Sequence, residues 1–229
     1  MKKFLKGCIC ATAFLLIFAG QYCFASRADL VQRIEKSKDY LDDVNSEPDK
    51  GIPYSLLNDC KGIMILQQYN VGFVIGVKGG NGVILLKDPK TNRWGPPAFV
   101  TSGAGSIGAQ IGGQKIDAIF LIMNKEGVDM LLQTKFTVGV DASAAAGPVG
   151  RDAAASVGPG TAILVYSRAK GLYAGATFTG GLLLNDDSAN QEFYHNKHIT
   201  AQDIIFRNRV KVPKEAESLI RELDRLSKP

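Results

Sequence analysis

The sequence predicts an α+β domain, mainly β, in which a curved antiparallel sheet closes into a barrel-like or sandwich core flanked by N- and C-terminal helices. Apolar residues recur at helical spacing near the two ends of the chain, whereas short apolar runs separated by turn residues fill the middle. Many of the 25 glycines fall in those runs, where they favour tight bends over flat pairing.

The first 25 residues have the pattern of a secretory signal peptide. Three lysines open the chain, an apolar run extends from Ile9 to Gly20, and small residues stand at −3 and −1 before a cut after Ala25. An uncleaved anchor helix is the alternative, but the apolar run is short for a membrane span. So short a leader beginning Lys–Lys is typical of bacteria. We therefore expect an exported, periplasmic protein, able to lie peripheral to a membrane, whose residues 26–229 form a single domain.

Removal of the leader would lower both the net charge and the number of cysteines. The formal net charge of +5 falls to +2, because three lysines and no acids leave. Net charge therefore gives no reason to expect nucleic acid as a partner, and any preference for anions must come from local clusters. Of the four cysteines only Cys60 remains, which excludes an intramolecular disulfide and fits a small buried hydrophobe.

The first expected element is a helix over Arg27–Val44, in which Leu30, Ile34 and Leu41 share one face. A further helical turn fits Tyr54–Asp59. Glycines at 79, 80 and 82 have the chemistry of a hairpin turn, which would pair the strands on either side. The expected strands are 62–68, 71–78, 83–87, 98–101, 115–123, 136–140, 162–167, 172–179 and 182–184, with a helix at 125–132.

The chain is expected to end in helices. Short helices fit Ser188–Tyr194 and Thr200–Phe206, and Thr200 can cap the second because Asp203 follows three residues later. Pro213 opens the last helix. Its apolar stripe consists of Ala216, Leu219, Ile220, Leu223 and Leu226.

Two motifs place cations among glycines on short apolar segments. They are Gly147–Arg151 (GPVGR) and Ser167–Gly175 (SRAKGLYAG). Small residues let a backbone approach a partner closely, and a neighbouring guanidinium or ammonium group favours phosphate. The pattern predicts a protein that holds an anionic group.

Three other patterns give weaker evidence of function. Gly103–Gly108 matches G-x-G-x-x-G, but the residues after it are poor helix formers, so no nucleotide cofactor is expected. The two histidines, His195 and His198, lie in one polar loop, which leaves a hydrolytic triad or a metal site little to use. Asp117 interrupts an apolar strand, and a buried carboxylate needs a partner, so we expect it to pair with Arg151, Arg168 or another cation.

Several segments, in order along nearly the whole mature chain, resemble the SYLF domain family, also called the Ysc84 actin-binding domain family. They are Cys60–Leu66, Val71–Gly76, Gly80–Val83, Trp94–Ala98, Gly108–Gly112, Asp117, Gly147–Arg151 and Tyr166–Gly175. The resemblance implies binding of phosphoinositides and other anionic phospholipids, with no enzymatic activity and no cofactor. It also implies actin binding in fungal members, whereas actin is not an expected partner of an exported bacterial member.

The expected headgroup contacts are Arg151, Arg168 and Lys170, with Tyr173 meeting acyl or glycerol groups. Internal pairing with Asp117, Asp141 or Asp152 is the alternative for the arginines. Arg33, Lys36 and Lys38 form a second candidate patch on the first helix, whose position implies membrane contact in some family members. Packing of that helix against the sheet is its alternative.

Two functions are therefore expected. The first is non-enzymatic binding of an anionic phospholipid or membrane surface in the bacterial envelope. The alternative is a structural or interaction protein of the periplasm with no lipid ligand, which docks an envelope partner through the outer apolar face of a terminal helix. An enzyme is not expected from this inventory of residues, and neither is a nucleic-acid or nucleotide partner.

Overall fold

The structure, a computed structural model, describes residues 25–46, 51–73, 75–107, 112–149, 157–158, 160–169, 172–174, 182–207 and 209–228. In this part of the chain the helices are α1 (Arg27–Val44), α2 (Tyr54–Asp59), α3 (Lys125–Met130), α4 (Asp187–Tyr194), α5 (Ala201–Ile205) and α6 (Glu217–Leu226), with a 3₁₀ turn at Lys214–Ala216 before α6. The strands are β1 (Gly62–Phe73), β2 (Ile75–Leu86), β3 (Ala98–Ile107), β4 (Gly112–Ile122), β5 (Lys135–Phe136), β6 (Ala144–Ala146), β7 (Ile163–Ala169), β8 (Leu172–Ala174) and β9 (Leu182–Asn185).

All of these strands belong to one sheet. Their order is β5-β9-β3-β2-β1-β4-β7-β6, and β8 also pairs with β7. The pairings are antiparallel except for that of β6 with β7, which is parallel. The expected fold class is confirmed, with this one parallel pair inside it.

The sheet is curled, and the connectivity explains why. β5 and β6 are consecutive in the chain but lie at opposite ends of the strand order. The link from Phe136 to Ala144 reaches about 28 Å at most, whereas the outer strands of a flat eight-stranded sheet would lie about 34 Å apart. A turn shortens the link further, because the Gly139 N–H donates to the Ala142 carbonyl oxygen at 2.9 Å.

One face of the sheet is covered by α1, α4 and α6. Leu30, Ile34 and Leu41 of α1 are fully buried in a core that they share with Ile65 of β1 and Leu219 of α6. Helical spacing places these apolar residues of α1 on one face, and that face packs inward.

The N-terminus of α1 is closed by a capping box. The Ser26 Oγ accepts from the Asp29 N–H at 3.3 Å, and the Ser26 N–H donates to the Asp29 carboxylate at 2.9 Å. These reciprocal bonds satisfy donors that the first turn of a helix otherwise leaves free.

The other face is covered by α3, α5 and the segment around β5. Met64 and Phe120 of the sheet share this second core with Met130, Phe136 and Ile204. Because both faces are covered, every residue from Gly62 to Gln68 in the central strand β1 is buried. Such a strand is a continuous apolar run rather than an alternating one.

The helical predictions are confirmed over Arg27–Val44 and Tyr54–Asp59, and Thr200 and Asp203 form the expected capping box. The predicted hairpin turn at Gly79–Gly82 is wrong. β1 continues to Phe73 and β2 begins at Ile75, so those glycines lie within β2. They are needed there because a Cβ on Gly80 would stand 2.5 Å from the Gln67 carbonyl oxygen, and one on Gly82 would overlap the Ile65 carbonyl.

Among the described residues, no helix combines the length and the apolar character that crossing a bilayer would require.

Candidate functional site

The two cation-bearing motifs meet at Tyr166. Its ring packs against Gly147, where a Cβ would overlap the ring atoms. Its Oη donates to the Pro148 carbonyl oxygen at 3.0 Å, and the Gly147 N–H donates to the Val165 carbonyl oxygen at 2.8 Å. The glycine and proline of the first motif thus hold that segment against β7, which carries the second motif into the sheet.

A row of polar residues crosses the sheet where the apolar core ends. It lies one alternation beyond the core residues Ile65, Ile119 and Tyr166, so it belongs to the face that α1 covers. In register across five neighbouring strands, this polar row is Thr101, Asn81, Gln67, Asp117 and Arg168.

Asp117 is the acid of the polar row. Its Oδ2 lies 2.9 Å from the Lys115 Nζ, and register places Arg168 directly opposite on β7. Its buried Oδ1 has no hydrogen-bond partner within the described part of the chain. The expectation that Asp117 pairs with a cation is confirmed, and Lys115 is that cation.

α1 is anchored to the polar row by Tyr40. The Tyr40 Oη donates to the Asp117 backbone carbonyl oxygen at 2.7 Å. This contact fixes how far along β4 the helical layer reaches.

The next row along the strands is exposed. We call it the open rim, and its residues in register are Leu182, Gly103, Gly79, Tyr69 and Lys115. Tyr69 is 44% exposed and Leu182 is 40% exposed. A Cβ built on Gly79 or Gly103 would meet nothing within 4 Å, so the strip between Tyr69 and Leu182 is a bare backbone surface.

The strands carry an excess of positive charge at this end. In the described ranges 67–73, 75–81, 101–107, 112–117, 168–169, 172–174 and 182–184, the charged residues are Lys78, Lys115, Arg168 and Asp117. These strand ends thus contain three cations and one carboxylate, so their local formal charge is positive.

The predicted headgroup residues divide in two. Arg168 and Tyr173 are paired in register between β7 and β8, in line with the polar row. Arg151 and Lys170 lie outside the described residues, but they follow, respectively, the segment that contacts Tyr166 and the last residue of β7. The structure thus brings the described parts of the two motifs to one region of the sheet.

The second predicted patch, on α1, makes contacts within the helical layer. The Arg33 Nη1 lies 3.3 Å from Asp186, whose carboxylate also accepts from the Ala189 N–H at the start of α4. Lys38 lies 2.5 Å from Asp42, and burial raises the pKa of Asp42. Lys36 is exposed and donates to the Gln32 side chain at 3.0 Å. Arg33 therefore joins α1 to the N-cap of α4, whereas the ion pair of Lys38 lies within α1.

A cleft of about 370 Å³ lies beside Arg33. Its lining is of mixed sign, with Arg33 and Lys197 facing Asp186 and Glu192. Because Arg33 already pairs with Asp186, this cleft has no clear preference for an anion.

The structure also describes Cys60, most of the G-x-G-x-x-G match and residues of the kinds that hold metal ions. Cys60 is buried as expected, and burial raises the pKa of its thiol to about 11. The first five residues of the G-x-G-x-x-G match continue β3 as an extended strand, which lacks the turn into a helix that nucleotide loops use. In the described ranges, no group of three or more His, Cys, Asp or Glu residues is placed to hold a metal ion.

Sequence reasoning missed Tyr166 as the residue that joins the motifs, and it missed Tyr69 and Lys115 at the open rim. The adjacency of Tyr166 to the SRAKG segment was the available signal for the first. For the other two, only strand register shows that they lie side by side.

The fold and this site define a class: an α+β domain built on a curled sheet, covered by helices and basic at one exposed end. A family model described as "Ysc84: Las17-binding protein actin regulator" matches residues 103–226. That match covers more than half of the chain, and the chain belongs to this Ysc84, or SYLF domain, family.

Similar proteins with curated descriptions support this family assignment. Protein YSC84 of Saccharomyces cerevisiae is 32% identical over 181 residues, covering 77% of this chain and 38% of the yeast protein. An SH3 domain-containing protein of Schizosaccharomyces pombe is 34% identical over 76% of this chain and 41% of its own length. The human SH3 domain-containing YSC84-like protein 1 is 30% identical over 77% of this chain and 52% of its own length. The chain thus spans about half or less of these relatives. No solved structure matches it.

Proposed function

We propose that this chain binds membranes containing anionic phospholipids and catalyses no reaction on them. The observation that carries the proposal is the charge at the exposed end of the sheet, where the described strand ends contain three cations and one carboxylate. Arg151 and Lys170 add to that excess from the adjoining motifs. Arginine binds phosphate through paired N–H donors, and lysine binds it as a point charge.

The expected strength of such binding follows from the number of cations. Each lysine or arginine near an anionic bilayer contributes about 1 kcal/mol at physiological ionic strength. An excess of two to four positive charges therefore gives weak, salt-sensitive association that depends on the lipid surface. The proposed phosphate contacts are Arg151, Arg168 and Lys170, with Tyr173 beside them.

Vesicle flotation tests this function. Vesicles of phosphatidylcholine alone are compared with vesicles that also contain phosphatidylglycerol or a phosphoinositide. We expect the protein to float only with the anionic vesicles, and to be released as salt is raised because screening weakens surface electrostatics. Failure to float with any anionic composition at low salt would reject the function.

A paired variant assigns the site. Arg151→Ala with Lys170→Ala should reduce flotation with anionic vesicles. The matched control is Lys61→Ala with Lys90→Ala, which removes the same charge at the opposite end of the strands. Equal losses in both variants would show that net charge alone matters and would remove these motifs from the proposal.

We also propose that the chain is exported to the periplasm and cut after Ala25. The capping box supports the position of the cut, because Ser26 and Asp29 both remain in the shortened chain and the cap of α1 can form without the leader. N-terminal sequencing of protein recovered from a bacterial periplasm tests this. A first residue other than Ser26, or retention in the cytoplasm, would contradict it.

A second candidate function is docking of a protein partner. A groove of about 440 Å³ runs between α6 and the segment before β3, with Trp94, Ile220 and Val212 among its lining residues. This is the outer face of a terminal helix, and the family description names a protein that binds another protein. Ile220→Asp should abolish capture of such a partner while leaving vesicle flotation unchanged. Loss of flotation in that variant would argue against a separate protein-docking face.

A further inference from the structure

The open rim joins exposed apolar side chains to a basic strand end. Tyr69 and Leu182 lie three strand spacings apart, about 14 Å, and the two strands between them present Gly79 and Gly103. Nothing stands within 4 Å of where a Cβ would be on either glycine. A flat object can therefore approach the backbone between the two apolar side chains.

The strands continue past the open rim. β1 and β2 remain paired from Asn70↔Lys78 to Phe73↔Ile75, and β3 follows them to Ile107 opposite Ile75. In the ranges 70–73, 75–78 and 104–107 the sequence contains one lysine and no acid, and the remaining residues are apolar, glycine, alanine, serine or asparagine. The sheet thus extends beyond its polar row as an uncharged or cationic projection.

α1 cannot supply the membrane contact without opening the core. Its apolar side chains Leu30, Ile34 and Leu41 are fully buried against the sheet. Its polar face interleaves acids with bases, whereas interfacial helices carry mainly Lys and Arg on that face. Contact through the exposed end of the sheet leaves the helical layer intact.

We infer that the open rim is the surface through which this chain meets an anionic bilayer, with Tyr69 and Leu182 entering the interfacial zone beside the cationic strand ends that carry Lys78 and Arg168. This inference rests on the proposed function and specifies its orientation. The occupant is a lipid surface because the charge is complementary: Asp117 pairs with Lys115, and Lys78, on the opposite face of β2, and Arg168 leave this end of the sheet with a formal charge of +2. Tyrosine is suited to such a boundary because its ring is apolar and its hydroxyl group remains hydrated.

A matched pair of variants tests the surface. Tyr69→Asp places a carboxylate on the open rim, and Leu132→Asp places one at a residue after α3 that is 51% exposed. Both sites are partly exposed, so both variants should fold, which circular dichroism checks. We expect Tyr69→Asp to weaken binding to phosphatidylglycerol vesicles by at least about fivefold, and Leu132→Asp to stay within about twofold.

The outcomes separate the two proposals. If the unmodified protein fails to bind anionic vesicles, the proposed function and this inference both fall. If it binds and Tyr69→Asp binds as well as Leu132→Asp does, the open rim is rejected as the contact surface while the proposed function stands.

A spectroscopic variant tests insertion without relying on affinity. Trp94 is the sole tryptophan of the chain and is buried, so Tyr69→Trp adds an exposed indole at the open rim. We expect its emission to shift to the blue on anionic vesicles and to be quenched by lipids brominated near the headgroup. Leu132→Trp should show neither change. An unshifted, unquenched spectrum from vesicle-bound Tyr69→Trp would overturn the inference.

Discussion

Tyr166 donates a hydrogen bond from its phenolic Oη to the carbonyl oxygen of Pro148 at 3.0 Å. The tyrosine is buried in the core under α1, whereas Pro148 belongs to the segment after β6. The bond therefore ties the first cation-bearing motif to the strand that carries the second. Because it joins a phenol to a backbone carbonyl, this bond positions the segment around Pro148 and does not itself contact phosphate.

Removal of that hydroxyl should destabilise the domain. We expect Tyr166→Phe to lower the free energy of unfolding by about 1 kcal/mol, measured as a lower urea midpoint at unchanged slope. Tyr54→Phe is the control, since Tyr54 lies on the surface. Equal midpoints for the two variants would show that the bond adds no stability.

Gly147 should not tolerate a methyl group. An added Cβ would overlap the Tyr166 ring, and crowding of this kind costs about 1–3 kcal/mol. Gly103→Ala is the matched control because a Cβ there meets nothing within 4 Å. Thermal unfolding of both variants checks the prediction, which fails if Gly147→Ala is as stable as Gly103→Ala.

The link between α1 and the 3₁₀ turn should weaken in acid. Arg27 lies 2.6 Å from Glu215, and its hydrogen bond holds the pKa of Glu215 below the ordinary 4.5. A carboxyl with a depressed folded-state pKa stabilises the fold above its unfolded pKa and loses that contribution as pH falls through the folded value. Both side chains are partly hydrated, so the contribution is below about 1 kcal/mol.

The variant that reports on this ion pair is Glu215→Gln. Its deficit in unfolding free energy should be present at pH 7 and should vanish below the pH range in which Glu215 titrates. Urea denaturation at pH 7 and pH 3 measures the difference. A deficit of the same size at both pH values would indicate lost packing instead.

Cys60 should resist alkylation in the folded protein. Its thiol donates to the Leu57 carbonyl oxygen at 3.2 Å, and burial raises its pKa to about 11. Fewer than about one thiol in a thousand is then ionised near neutral pH, and the thiolate is the reactive form. Iodoacetamide followed by peptide mass spectrometry should show labelling of the Cys60 peptide at least about a hundredfold slower in buffer than in denaturant. Comparable rates would place Cys60 at the surface.

The helices could be predicted from sequence because each carries its own evidence. The spacing of Leu30, Ile34 and Leu41 defines the apolar face of α1, and the Thr200–Asp203 pair defines the start of α5. Both features depend on residues three or four apart. Contacts with residues far away in the sequence are not needed to recognise them.

The glycine-rich strands were harder to predict from sequence, because the residues that require each glycine lie on another strand. Gly80 and Gly82 look like turn residues in sequence, yet Gln67 and Ile65 of β1 are what exclude a side chain there. By contrast, the cations of the two motifs could be recognised in the sequence because they lie among glycines. The open rim depends on the register of β1, β2, β3 and β9, and no local pattern specifies that register.

The short link between β5 and β6 has a consequence for how the molecule can come apart. Since it joins the two outermost strands covalently, the bend of the sheet is a property of the backbone's path and does not depend on α1 or α6 staying docked. A partly denatured state that has shed its helices would still be unable to lie flat while its strands remain paired. The sheet should therefore remain curved after the helices have detached from it.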